Sequence, residues 1–291
     1  MTSRLTVEPS TRQTRDDAAS GRGVLDAGGG RRTLRFWREL VVIAAFYVVY
    51  TAIRDIRGTT PVSGAVAFHH ARWIIAGERA LGVYREAAIQ HAFLHAHFVV
   101  AVLDVWYGST HFVVTGAVLV LLFFRFPHRY RIGRNALAGT TVLALAGFAF
   151  FPLMPPRLLP PGYGFVDTLQ TVGGLWAFDS GPMPDLSNQF AAMPSLHLAW
   201  ALWCAVAVMP VLRRWWSKVL LACYPAVTLV CVVVTGNHYL LDVVVGAVIV
   251  AVPYAASAMI AAARRRALDR PAVARSGPEG AAATPPGASY I

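Results

Sequence analysis

Two histidines and an aspartate stand out in the second half of the chain. In "GNHYLLDVVVG" His238 and Asp242 are spaced i,i+4, which places both on one face of a helix. A carboxylate in that position can accept a hydrogen bond from one imidazole nitrogen, fixing the tautomer and leaving the other nitrogen basic. Asp242 is set among valines and leucines, where an unpaired carboxylate costs at least roughly 2.5–3.5 kcal/mol. His238 is the nearest group that offsets that cost. Taken alone, the pair could equally be a structural bond between helices.

The stretch "AAMPSLHLAW", residues 191–200, adds His197 and Ser195. Pro194 suits the first turn of a helix, because its missing N–H removes no bond there. Free N–H groups of that turn, with the Ser195 hydroxyl, would make an anion site at a positive dipole end, and His197 could donate a proton to a group bound there. A capping serine and a histidine satisfied by interfacial water are the structural alternatives. In "PPRLLPPGYG" prolines stiffen the loop that carries Arg157. Its planar fork suits a phosphate, although anchoring to lipid headgroups is the plainer role.

The elements that must position these residues are membrane elements. Of 291 residues, 56% are hydrophobic and 14% charged, against about 25% charged in ordinary globular domains. Six segments are apolar over a length that spans a bilayer: 38–55, 107–125, 135–153, 191–210, 218–236 and 238–263. Between the first two, 56–106 shows apolar residues at helical spacing interrupted by charges, which predicts one or two interfacial amphipathic helices. A seventh span near 92–105 is the main rival topology. Residues 1–37 are polar, rich in Gly and Arg, and unlike a signal peptide. They are expected to form a cytoplasmic tail, 38–263 the membrane-embedded domain, and 264–291 a disordered cytoplasmic tail.

The net charge of +11 does not point to nucleic acid, since the basic residues are dispersed between apolar segments. With six spans and both termini inside, 20 of the 26 Lys and Arg residues fall on the cytoplasmic side. A seventh span would put the later basic loops outside. The expectation is therefore an all-α bundle of six transmembrane helices with an interfacial segment between helices 1 and 2. The high Arg, Ala and Gly content suits a high-GC bacterium, making the expected membrane the cell membrane.

This topology brings the Arg157 loop, the start of the fourth span and the turn before the sixth to one extracytoplasmic face. His238, Asp242, His197, Ser195 and Arg157 together are what phosphoryl transfer through a phosphohistidine requires: nucleophile, orienting carboxylate, proton donor and anion clamp. The rival from another class is a transporter using His238 and Asp242 as a proton relay. Its polar groups should lie near the midplane on broken helices, often with internal repeats, and no repeat is visible. A structural scaffold leaves the joint placement unexplained.

At this point the residues resemble the type 2 phosphatidic acid phosphatase superfamily, whose second motif is PSGH and whose third ends HxxxD. Here they stand as Pro194-Ser195-Leu196-His197 and His238…Asp242. Leu196 in place of Gly, and "HY" opening the last motif, are closer to the branch of fungal inositol phosphorylceramide synthases and sphingomyelin synthases. The resemblance implies that His238 attacks phosphorus, Asp242 orients it, His197 protonates the leaving oxygen, and Arg157 and Ser195 hold the phosphate. It implies a lipid phosphate or phospholipid substrate, with water or a polyol such as inositol as acceptor, and neither a metal nor another cofactor. The usual first motif has a Lys seven residues before its Arg and a Pro after it; Phe150 and Leu158 stand there. The usual third motif has an Arg where this chain has Val232. Arg72, Arg79 or Arg85 could substitute, though exposed helical arginines read more simply as headgroup contacts.

The remaining polar residues receive plainer readings. Tyr107, Ser109 and His111 fit an interfacial aromatic belt better than a pocket mouth. His91, His95 and His97 lack a carboxylate or Cys to complete a metal site. Asn188 and Asn237 flank the histidine motifs as candidate donors, and Asp167, Asp179 and Asp185 are expected to be solvated. Cys204, Cys223 and Cys231 read as small buried hydrophobes.

Overall fold

The computed structural model describes residues 63–173 and 189–269, with a few positions between 37 and 48. Most of the expected first span and of both tails, and Asp179, Asp185 and Asn188, lie outside the described residues. Within them the chain is helical and holds no strand, only one isolated bridge between Leu153 and Ala191.

Over residues 63–173 and 189–269 eight α-helices follow in order: α1 Gly64–Ala80, α2 Glu86–Leu94, α3 His97–Val105, α4 His111–Arg125, α5 Pro127–Phe150, α6 Leu196–Val208, α7 Trp215–Val234 and α8 Leu240–Asp269. A π-helical turn, Trp106–Thr110, joins α3 to α4 in one unbroken run of 29 residues, His97–Arg125. Residues 64–105, within the segment expected to be interfacial, thus form three helices rather than one or two, and α3 is continuous with α4 instead of making a separate span. The wider π turn absorbs the change of register without breaking the helix.

Among the described residues three helical runs are long and apolar enough to cross a membrane: His97–Arg125, Trp215–Val234 and Leu240–Leu268. Leu196–Val211 is apolar but shorter. α5 is long, yet His128, Arg129, Arg131 and Arg134 charge its first two turns. Pro127 at its first position, after the kinked Phe126, starts it earlier than the expected 135. α8 runs beyond 263 to Asp269, so the beginning of the expected tail is helical.

The largest core lies between α4, α5, α6 and α8. Trp203 is fully buried there and donates its indole N–H to the Gly133 carbonyl at 2.8 Å. A Cβ on Gly133 would meet the same indole at 3.3 Å, and one on Gly139 would lie 2.9 Å from Pro253 of α8. These glycines let α5 approach its neighbours closely. The outward surfaces stay apolar, with Phe112, Phe124, Leu220, Val248 and Val252 exposed. Helices apolar on their outer faces as well as their inner ones belong in lipid.

Candidate active site

Backbone bonds pull the three sequence-distant stretches together at one end of the bundle. Arg157 N–H donates to the Gly236 carbonyl at 2.8 Å, and Ser195 N–H to the Asp242 carbonyl at 3.2 Å. Leu153 and Met154 donate to the carbonyls of Phe190 and Ala67, and the Tyr239 hydroxyl donates back to the Met154 carbonyl at 3.0 Å. Gly236, at φ +65, makes the sharp turn between α7 and α8 and leaves room for Gln90 and Arg157, whose atoms lie 3.0–3.4 Å from where its Cβ would be. Since α4, α6 and α8 begin at this end and α5 finishes at it, Arg129, Arg131, Arg134, Arg213, Arg214 and Arg264–Arg266 fall at the opposite one. Gly147, which meets Pro194, is about 20 Å along α5 from Arg134.

His238 precedes α8 and is 3% exposed; Asp242, in its first turn, is fully buried. Nδ1 of His238 lies 3.5 Å from Oδ2 of Asp242, which also accepts the Tyr239 N–H at 3.0 Å. Among the described residues neither Nδ1 nor Nε2 of His238 has a hydrogen-bond partner, the Asp242 carboxylate being the near neighbour of Nδ1. The His197 ring lies 5.8 Å from that of His238, centroid to centroid. Ser195 is the N-cap of α6, its Oγ accepting the Leu198 N–H at 3.5 Å. Pro194 therefore sits before the cap, not inside the first turn, because Ser195 takes the extended conformation a cap requires.

Arg157 lies in a short 3₁₀ turn, Pro156–Leu158. Its Nε donates to Asn237 Oδ1 at 3.0 Å and its Nη1 to Asp167 Oδ2 at 2.8 Å. Asp167 is thus an ion-pair partner rather than a solvated acid, and Asn237 accepts from Arg157 while its amide donates to Thr235 Oγ1 at 2.8 Å.

Five further residues are drawn in. Tyr107 stacks on His197 with centroids 4.1 Å apart, and His111 meets the same imidazole edge-on at 4.3 Å. Both therefore face His197, Tyr107 from the π turn and His111 from the first position of α4. Gln90, fully buried, donates to the Val234 and Val166 carbonyls at 3.0 Å and accepts the Val166 N–H at 2.9 Å. Glu86 Oε1 accepts the Leu240 N–H at 3.0 Å, and Glu78 Oε1 accepts the Leu241 N–H at 2.8 Å. Burial pushes the Glu78 carboxyl up to about 8, the Glu86 carboxyl adding to the rise and the Leu241 N–H opposing it. Their only sequence signal was two acids flanking the Leu81–Arg85 turn in an otherwise amphipathic segment.

Other candidates stay away. Arg72, Arg79 and Arg85 are exposed, Arg79 lying over the Tyr84 ring. Phe150 is 79% exposed and Val232 buried, so neither position brings a cation to the site. Ser109 donates to the Val105 carbonyl, and exposed His91 to that of Gly164. Among the described residues no group of three or more His, Cys, Asp or Glu is arranged to hold a metal ion.

The described residues are helical with three long apolar helices, which marks a membrane protein, and its paired histidines, buried aspartate and loop arginine meet at one end. A family model of the PAP2 superfamily matches residues 72–256, from within α1 to within α8, and the chain belongs to that superfamily. Its members are phosphohydrolases, and membership implies a phosphatase or phosphotransferase acting on phosphate-bearing lipids. Neither a curated protein nor a solved structure matches the chain.

Proposed function

We propose that this protein transfers the phosphoryl group of a lipid phosphate through a phosphohistidine on His238, at the extracytoplasmic face of the cell membrane. The observation that carries this reading is the meeting of His238, Asp242 and His197, which three separate elements bring together. Asp242 on Nδ1 leaves the Nε2 lone pair to attack phosphorus. A P–N bond forms as the P–O bond to the lipid breaks, and protonated His197 gives its proton to the departing oxygen. Water or a polyol hydroxyl then attacks phosphorus and loses its proton to His197, and the P–N electron pair returns to Nε2.

The phosphate is held by Arg157, by the Ser195 hydroxyl proton, and by first-turn amides of α6. The first-turn amides of α8 do not serve, since carboxylates already occupy them. The extracytoplasmic face is supported by the basic clusters at the far end of the helices. Leu196 and the "HY" opening favour a phosphotransferase branch with a polyol such as inositol as acceptor.

The test is phosphate release from a panel of lipid phosphates by purified wild type and His238→Ala, in detergent with a chelator. Release that vanishes in the variant is expected. If wild type releases nothing, the same pair is assayed for transfer from headgroup-bearing phospholipids to polyols, and silence in both assays overturns the reading.

A further inference from the structure

Glu78 and Glu86 are fully buried, yet neither is bonded to a cation. Acids so placed are rare unless paired. Their bonds run to one short piece of backbone. The N–H groups of Tyr239, Leu240 and Leu241 are consecutive, and each donates to a different carboxylate: Asp242 at 3.0 Å, Glu86 at 3.0 Å and Glu78 at 2.8 Å. These are the donors that a helix start leaves without partners, at the positive end of its dipole. They are also the only backbone between His238 and Asp242. Both acids come from the α1–α2 hairpin, which Gly82 turns at φ +71. Glu86 is further fixed by the Arg85 N–H on its Oε2 at 2.9 Å.

We infer that Glu78 and Glu86 are positioning residues for His238, holding the backbone of its turn so that Nε2 points to the phosphate. This rests on the proposed function of His238. The groups facing Glu78 are Glu86 from α2, Asp242 and Tyr239 from the α8 side, and Tyr84 with Arg79 beside it. Two of them, Glu86 and Asp242, are carboxylic acids, so a proton on Glu78 leaves one charge fewer against Asp242. Its loss at alkaline pH puts a third charge on three adjacent amides and loosens the turn. A glutamine at 78 keeps the carbonyl that accepts the Leu241 N–H and cannot ionise. One at 86 keeps the acceptor for Leu240 but removes the charge.

The experiment compares purified wild type, E78Q and E86Q in detergent, with kcat and KM on a lipid phosphate from pH 6 to 9.5. The histidine ring signals of the ¹⁵N-histidine-labelled proteins are followed over the same range, His238 being assigned with H238Q. The alkaline fall in wild-type kcat should be lost in E78Q, raising its kcat ratio between pH 9 and pH 7 at least threefold over wild type. E86Q should lose at least tenfold in kcat with KM within threefold, and its His238 signal should shift. An alkaline limb unchanged in E78Q, a loss confined to KM, or a His238 signal unmoved in both variants overturns the inference. The ring signals need no substrate. If wild type is silent both on lipid phosphates and in transfer from headgroup-bearing phospholipids to polyols but E86Q moves His238, the functional reading has failed and the positioning role stands.

Discussion

The ring of Tyr107 lies flat against the imidazole of His197, centroids 4.1 Å and planes 24° apart, while His111 closes the other side edge-on at 4.3 Å. The proton donor of the proposed reaction is thus held by one side chain of the turn that joins α3 to α4 and by the first residue of α4. An aromatic pair of this kind contributes about 0.5–1.5 kcal/mol beyond its buried area. Tyr107→Ala is expected to lower turnover by up to roughly tenfold, and Tyr107→Phe to keep most of it. Steady-state kinetics on a lipid phosphate decide this, and equal losses in the two variants would show that the hydroxyl, not the stack, matters.

The start of α6 rests directly on α8. A Cβ on Gly246 would stand 2.7 Å from the Ser195 carbonyl oxygen, and this neighbour is backbone that cannot swing aside. Gly246→Ala should destabilise the protein by about 1–3 kcal/mol and lower turnover by displacing His197. Thermal unfolding in detergent, read beside activity, tests it; an unchanged melting midpoint would contradict the close approach.

Asp242 Oδ2 accepts the Tyr239 N–H at 3.0 Å and has His238 Nδ1 beside it at 3.5 Å, beyond a formed hydrogen bond. Such contacts tighten when substrate binds. Asp242→Asn keeps an acceptor for Tyr239 but cannot stabilise an imidazolium. Turnover should fall at least roughly 100-fold with the unfolding midpoint little changed, as kinetics and calorimetry on the same sample would show.

Arg157 serves two partners at once, Asn237 through Nε and Asp167 through Nη1. Lysine offers a single point of donation and cannot bridge both. Arg157→Lys is therefore expected to raise KM by roughly tenfold, about 1.4 kcal/mol of lost binding, with a smaller change in kcat. A loss appearing only in kcat would remove Arg157 from the anion clamp.

Burial holds the Glu78 carboxyl near 8, above its ordinary value of 4.5. In the folded protein it keeps its proton where the unfolded chain has released it, so stability falls as pH rises. The contribution is complete below about 4.5 and lost as pH passes through about 8. Unfolding midpoints of the wild type should drop between pH 6 and 9, and a rise over that interval would reverse the assignment.

The helices and the residues of the three motifs were legible from the chain alone, because apolar runs, an i,i+4 pair and a proline-stiffened loop are local properties. Ser195 as a cap and His238 beside Asp242 follow from spacing within a single turn. Which side chains stand against them is not local. Glu78 and Glu86 read as charges interrupting an amphipathic segment, since the amides they serve lie 163 and 154 residues further on. Tyr107 and His111 read as belt residues because nothing in their neighbourhood signals the packing against His197. Asp167 found Arg157, and Arg72, Arg79 and Arg85 found no place at the site, for the same reason. Periodicity tells a helix which face is apolar, but only the packing of α1, α2, α4, α6 and α8 at one end decides which polar groups are buried together. In lipid that decision is sharp, because each buried polar group must find its partner inside the protein.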